Sequence, residues 1–271
     1  MGSDMSSSAE FIPFLSARRR ARNKSVATVA ILSIVIAGCC YHAGLFDMER
    51  LVEGAPSLAS LVSEMFPPDF SQLYNWLKPL ADTLAMSVAG TAIAVVLSVP
   101  LAVLAARNTS PYPLVFHFFR GMLNGLRSIP ELIMGIVFVA AVGFGALPGV
   151  LALAFHSVGM VAKFFAESIE HVDSAPVEAA KAAGCSPLQV ILHGIFPQVF
   201  SQMADTAIYR WEYNFRASTV MGMVGAGGIG FELIGSLRIM QYQEVSAILV
   251  VILLMVTAVD ALGSWLRKKT Q

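Results

Sequence analysis

The sequence predicts an all-α integral membrane protein with six transmembrane helices, and three observations predict it. Of 271 residues, 56% are hydrophobic and only 13% are charged; the mean hydropathy of +0.69 is too high for a soluble domain of this size. Apolar runs recur that account for six crossings, the first of them ~20 residues without a charge, long enough to cross ~30 Å of hydrocarbon at 1.5 Å per residue. Basic residues cluster beside the first and last runs, and the positive-inside rule assigns both clusters to the cytoplasm. The 18 basic and 18 acidic residues cancel, so no charge bias points to nucleic acid. Cys39, Cys40 and Cys185 offer neither a disulfide framework nor a metal spacing.

Residues 1–25 form a basic cytoplasmic tail with Arg18, Arg19, Arg20, Arg22 and Lys24 ahead of the first transmembrane helix, 26–46. Within that run Ile36-Ala37-Gly38-Cys39 also fits a lipoprotein cleavage site. The apolar stretch continues past the cysteines, which favours an uncleaved span. Residues 47–79 carry Asp47, Glu49, Glu53, Glu64 and Asp69 and read as a periplasmic loop. The spacing Leu58-Leu61-Val62-Met65 predicts an interfacial amphipathic helix there, and Tyr74 and Trp76 suit an aromatic belt.

The transmembrane core runs from 80 to 266. Its first helix, 80–106, carries Ala85, Ala89, Gly90 and Ala94, small residues that let membrane helices approach closely. An amphipathic stretch, 112–128, precedes Pro130, which breaks or kinks the helix, and 132–144 completes the third span. Residues 147–167 form the fourth, with Lys163 and Glu167 one turn apart near its inner end. The sixth span, 245–266, leads into a basic cytoplasmic tail, 267–271.

Between the fourth and fifth spans, residues 173–197 form a polar island. Pro176 and Glu178 suit the first turn of a short helix, and Gly184 suits its left-handed end. Ser186-Pro187-Leu188-Gln189 then reads as a capping box opening a second helix, which should fade near His193-Gly194 before Pro197 sets off a new direction. The fifth span, 199–223, holds Asp205, Arg210, Glu212 and Arg216. Four charges facing lipid would cost on the order of 10 kcal/mol, so they must face protein or water. Glu212 and Arg216, four apart with the acid first, can pair along the helix. Gly225, Gly227 and Gly230 match a dinucleotide fingerprint, but the following run is a membrane span and no βαβ unit is present. With Gly228 they suit an irregular turn where backbones approach closely, as a gate or a packing element.

Glu178-Ala179-Ala180, Gly184 and Pro197 resemble, in register, the cytoplasmic loop of membrane subunits of ATP-driven importers; Gly194 and Phe196 stand where that family usually has Ile and Leu. Phe66-Pro67-Pro68-Asp69-Phe70, Arg127 to Leu132, Tyr209 to Arg216 and Val224 to Gly230 extend the likeness to the phosphonate-importer permeases of the ABC transporter family. The resemblance implies a type I importer (MetI-like) core in a bacterial inner membrane. It also implies two copies of this chain, two cytoplasmic ATPase subunits that hold the ATP and Mg, and a periplasmic phosphonate-binding protein. Glu178, Ala179, Ala180, Gly184 and Pro197 would couple to the ATPase. The chain has no phosphate-binding loop of its own, so no cofactor is expected on it. Oxyanion cargo makes Arg210 and Arg216, with Asp205, Glu212 and Asn214 beside them, candidates for the translocation pathway; a structural ion network is the competing reading. Phosphite, hypophosphite or phosphate esters are alternative cargoes. A proton-coupled secondary transporter using Asp205, Glu212 and Asp260 is a different class of alternative. A membrane enzyme finds no supporting site.

Overall fold

The computed structural model describes residues 5–270; the side chains of 5–21 and of Leu51 fall outside that description, and with them Arg18, Arg19 and Arg20. Every regular element among the described residues is helical. The chain divides into two compact units, Met1–Ser63 and Glu64–Gln271.

The first unit consists of α1 (Met5–His42) and α2 (Met48–Glu64) joined by a short turn. Arg22–His42 is long and apolar enough to cross a membrane. Cys39 lies inside α1, which continues to His42. Leu58, Leu61 and Val62 are exposed along α2, as are the other residues of that helix whose burial is described.

The second unit is a bundle of α3 (Leu73–Ala105), α4 (Pro113–Ser128), α5 (Glu131–Val142), α6 (Ala146–Glu170), α9 (Phe196–Met221), α10 (Ile229–Arg238) and α11 (Tyr242–Thr270). Before α9 come α7 (Ser174–Ala182) and the single turn α8 (Pro187–Gln189). With Arg22–His42, the helices α3, α6 and α11 make four of spanning length; α4 with α5, and the run from α8 through α9 with α10, are bent pairs. Counting each pair as one crossing gives six. The break at Pro130 turns the chain by 86°. It is a sharp corner rather than a kink, because proline lacks the N–H that would continue the α4 ladder. The helix α3 starts earlier than the apolar run suggests and takes in Pro79. Trp76 is consequently not a belt residue: it is 1% exposed and packs with Ile229, Ala247 and Ile248, whereas Tyr74 is exposed.

The central contact is between α3 and α6. Met86, Ser87, Gly90, Thr91, Ala94, Ser98, Ala102 and Ala105 form a buried stripe along α3 at helical spacing. A Cβ on Gly90 would lie 3.0 Å from Leu153 Cβ and 3.3 Å from Val150 O, so the two helices touch through the missing side chain. Thr91 and Ser87 return their hydroxyls to Ser87 O and Leu84 O at 2.7 and 2.8 Å, whereas the buried Ser98 hydroxyl has no hydrogen-bond partner among the described residues.

After α9 the chain makes a tight turn, Gly222–Val224, and then a knot in which Gly225, Gly227 and Gly228 adopt positive φ. Gly145 N–H donates to Gly225 O at 3.2 Å, tying the knot to the start of α6. Thr83 receives the otherwise unpaired first N–H of α10, from Ile229, at 2.9 Å. The backbones of Gly222 and Gly230 cross in contact: a Cβ on Gly222 would meet Gly230 Cα at 2.7 Å, and one on Gly230 would run into Thr219 O. Gly235, further along α10, faces open space. Gly230→Ala should therefore destabilise the protein by about 1–3 kcal/mol through overpacking. Gly235→Ala should be neutral or stabilising by up to about 1 kcal/mol. Thermal unfolding in detergent, followed by the loss of the monodisperse peak, distinguishes the two.

Candidate functional site

The sequence points to two sets of residues in the second unit: the loop helix α7 with its connection into α9, and the polar side chains of α9. The Asp173 carboxylate accepts from Ala175 N–H at 3.0 Å and opens α7 at Ser174, so Pro176 falls in the first turn while Glu178, the fifth residue, lies beyond the first turn expected for it. At the other end Cys185 N–H donates to Ala180 O and Gly184 N–H to Lys181 O, with Gly184 at φ 81°, the paired bonds of a Schellman motif. Ser186 and Gln189 complete the capping box that the sequence announces.

The second short helix does not fade. It passes through a wide π-helical turn, Val190–Ile195, straight into α9, and Pro197 lies inside that run. The π turn accounts for the proline's tolerance. A regular helix would press the Pro197 ring against the carbonyl four residues back, and widening the turn relieves that crowding. Gly194, in the turn, is buried beneath α7: a Cβ there would lie 3.4 Å from Val177 Cα and 3.8 Å from Ala180 Cβ. Gln198 reaches from α9 to accept from Asp173 N–H at 3.0 Å. Among the sequence-predicted loop residues, Ala180 and Gly194 are thus brought together, while Gly184 has no neighbour within 4 Å of where a Cβ would stand.

The charges of α9 divide by face. Asp205, Glu212 and Arg216 recur at near-integral helical turns and meet α11. Glu212 pairs with Arg267 at 2.9 Å, Asp205 with Arg267 at 3.9 Å, and Arg216 with Asp260 at 3.0 Å. The expected pairing of Glu212 with Arg216 along α9 does not form, because both side chains point at a helix that offers each an opposite charge. Gly263 makes room: a Cβ there would strike the Glu212 carboxylate.

The opposite face of α9 carries Arg210 and Asn214, 2% and 0% exposed. Arg210 Nε–H donates to Ser157 Oγ at 2.9 Å, Ser157 donates to Asn214 Oδ1 at 3.0 Å, and Asn214 Nδ2 donates to Thr91 Oγ1 at 2.9 Å. One directed chain of hydrogen bonds therefore links α3, α6 and α9. The Arg210 guanidinium stacks on the Tyr213 ring at 4.3 Å, and Tyr213 OH lies 3.1 Å from both carboxylate oxygens of Glu131. His156 Nε2 is 3.5 Å from the same carboxylate. Ser157, Thr91, Glu131 and His156 escaped the sequence reading, since single serines and threonines in apolar runs carry no periodic signal; only Glu131, beside Pro130, lay within a distinctive segment.

Helices of spanning length, charges paired inside the bundle and a separately capped loop helix define a polytopic membrane permease core. The chain belongs to the family described as the binding-protein-dependent transport system inner membrane component, whose model matches residues 98–271. It is 68% identical to the phosphite transport system permease protein PtxC of Stutzerimonas stutzeri over 90% of this chain and 89% of that protein. It is 40% identical to the phosphate-import permease protein PhnE of Mycolicibacterium smegmatis over 82% of this chain and 42% of that protein. A solved inward-facing structure of the MetNI methionine ABC transporter superposes with a TM-score of 0.64 over 75% of this chain and 99% of that one; at 20% identity it shows the fold alone. The chain is therefore an inner-membrane permease subunit of an ABC importer, with ATP hydrolysed by a separate ATPase and a binding protein as a further partner. This membership sets aside the secondary-transporter alternative, and Asp260 takes its place as the ion-pair partner of Arg216.

Arg267→Gln should leave the buried Glu212 carboxylate without its cation and cost about 3–5 kcal/mol. Arg216→Gln removes one partner of a half-exposed pair and should cost about 1 kcal/mol or less. Thermal unfolding of the purified chain in detergent should reproduce that order.

Proposed function

We propose that this chain imports a phosphorus oxyanion, with phosphite the first cargo to test and phosphonate the second. The observation that carries the reading is the 68% identity to a phosphite permease over nearly the full length of both chains. The phosphonate expected from the sequence motifs belongs to the same chemical class, as does the phosphate named for the mycobacterial relative. In this reading two copies of the chain form the pathway, with both termini in the cytoplasm. Two ATPase subunits bind ATP and Mg, and a periplasmic binding protein delivers the anion.

Glu178, Ala179, Ala180 and Gly184 form the knob that meets the ATPase, and Pro197 sits where the π turn passes its motion into α9. The pathway runs along the face of α9 that bears Arg210 and Asn214. Asp205, Glu212 and Arg216 hold α9 to α11, which is what their ion pairs support. The knot of Gly225, Gly227, Gly228 and Gly230 acts as a gate, since close backbone contact permits movement only as a unit.

Two measurements test this. Proteoliposomes containing the complete transporter should accumulate phosphite on addition of ATP and binding protein, with methylphosphonate as the comparison cargo; uptake of neither overturns the assignment. Gly184→Val meets no neighbour but strains a backbone at φ 81°. It should reduce uptake about tenfold while the assembled complex still hydrolyses ATP, and uptake at the wild-type rate would remove the coupling role from the loop.

A further inference from the structure

Arg210 differs from the other membrane-depth arginines. Arg216 and Arg267 each meet a carboxylate, whereas no acid among the described residues pairs with Arg210 within 4 Å. Its Nη2 is buried without a hydrogen-bond partner among the described residues, and its Nη1 is spent on the thioether of Met160 at 3.0 Å, a weak acceptor. A guanidinium presents a planar fork suited to two oxygens of an oxyanion, and here half of that fork is unused.

What stands over it is Tyr213. The ring lies 4.3 Å from the Arg210 guanidinium carbon, and the hydroxyl bridges both oxygens of Glu131. Tyr213 thus separates a cation from a carboxylate that would otherwise attract each other. Glu131 and His156 have side chains 20% and 16% exposed, and Tyr213 is itself half-buried. His156 falls near the middle of α6, at membrane depth. Polar groups there are expensive against lipid, so this surface borders water or protein.

We propose that Arg210, Glu131 and His156 form an intramembrane subsite for a protonated phosphorus oxyanion, and that Tyr213 holds the anion's place until substrate arrives. The proposal rests on the cargo class given above and names where that cargo is held. Turning Tyr213 about its side-chain bonds opens the space between guanidinium and carboxylate. The charged oxygens of the anion then receive the N–H groups of Arg210, and its P–OH group donates to Glu131. Sulfate, fully ionised at neutral pH, has no O–H to donate and brings its charge against the carboxylate. The subsite therefore accepts phosphite, phosphonate or phosphate monoanions and rejects sulfate.

Binding is read without the binding protein, from the phosphorus NMR linewidth of phosphite added to the detergent-purified permease–ATPase complex. The wild type should broaden the line, as should Lys163→Gln, which removes a cation elsewhere on α6. Arg210→Gln should weaken binding by about tenfold or more, and Arg210→Lys by less. Tyr213→Ala should tighten it several-fold, and Glu131→Gln should let sulfate compete. Wild-type affinity in Arg210→Gln, no broadening by the wild type, or no gain in Tyr213→Ala overturns the subsite. If Arg210→Gln does not assemble, the Lys and Tyr213 variants decide. Uptake by the wild-type transporter is measured in parallel: its absence refutes the cargo class, whereas uptake without Arg210-dependent binding refutes the subsite alone.

Discussion

The constraint on which the bundle depends is that α9 carries charge through a medium that does not solvate it. Each charge left against lipid costs ~2.5–3.5 kcal/mol, and a folded protein has only ~5–15 kcal/mol of net stability to lose. The chain resolves this by facing the two stripes of α9 toward different neighbours. Asp205, Glu212 and Arg216 meet the cation and anion that α11 supplies. Arg210 and Asn214 meet hydroxyls of α6 and α3. Helix order and helix rotation in the second unit follow from satisfying both stripes at once.

That solution requires backbones to approach closely, because polar side chains reach across a helix interface only when little else stands between them. Gly90 lets α3 rest against α6, and Gly263 gives the Glu212 carboxylate its place beside α11. Dispersion and short polar contacts hold such interfaces, since hydrocarbon offers no hydrophobic drive between helices. The same geometry appears in the glycine knot, where backbone meets backbone and a carbon added at Gly222 or Gly230 forces the chain apart.

Much of this was legible in the sequence. The apolar runs, the capping box at Ser186, the left-handed Gly184 and the need to shield the α9 charges all follow from local chemistry or from spacing along one helix. What was not legible is partnership across helices. Nothing in the order of residues tells that Glu212 prefers Arg267 over Arg216 four positions away, or that Ser157 completes a chain between Arg210 and Asn214. Trp76 misled for a related reason: an aromatic residue near the end of an apolar run suits an interface equally well until Ile229 and Ala247 are seen to cover it. Pro197 suggested a break because the rule for proline assumes a regular helix on its N-terminal side, and the π turn removes that assumption.

The same wide turn sets the azimuth of everything after it. One residue of extra winding rotates a helix by about 100° relative to regular spacing. Deleting a single residue between Val190 and Ile195, so that ordinary winding resumed, would swing the charged stripe of α9 off α11 and carry Arg210 away from Ser157 and Tyr213 away from Glu131. The six residues joining the loop helix to the membrane therefore act as a screw thread whose pitch decides which side of α9 looks inward.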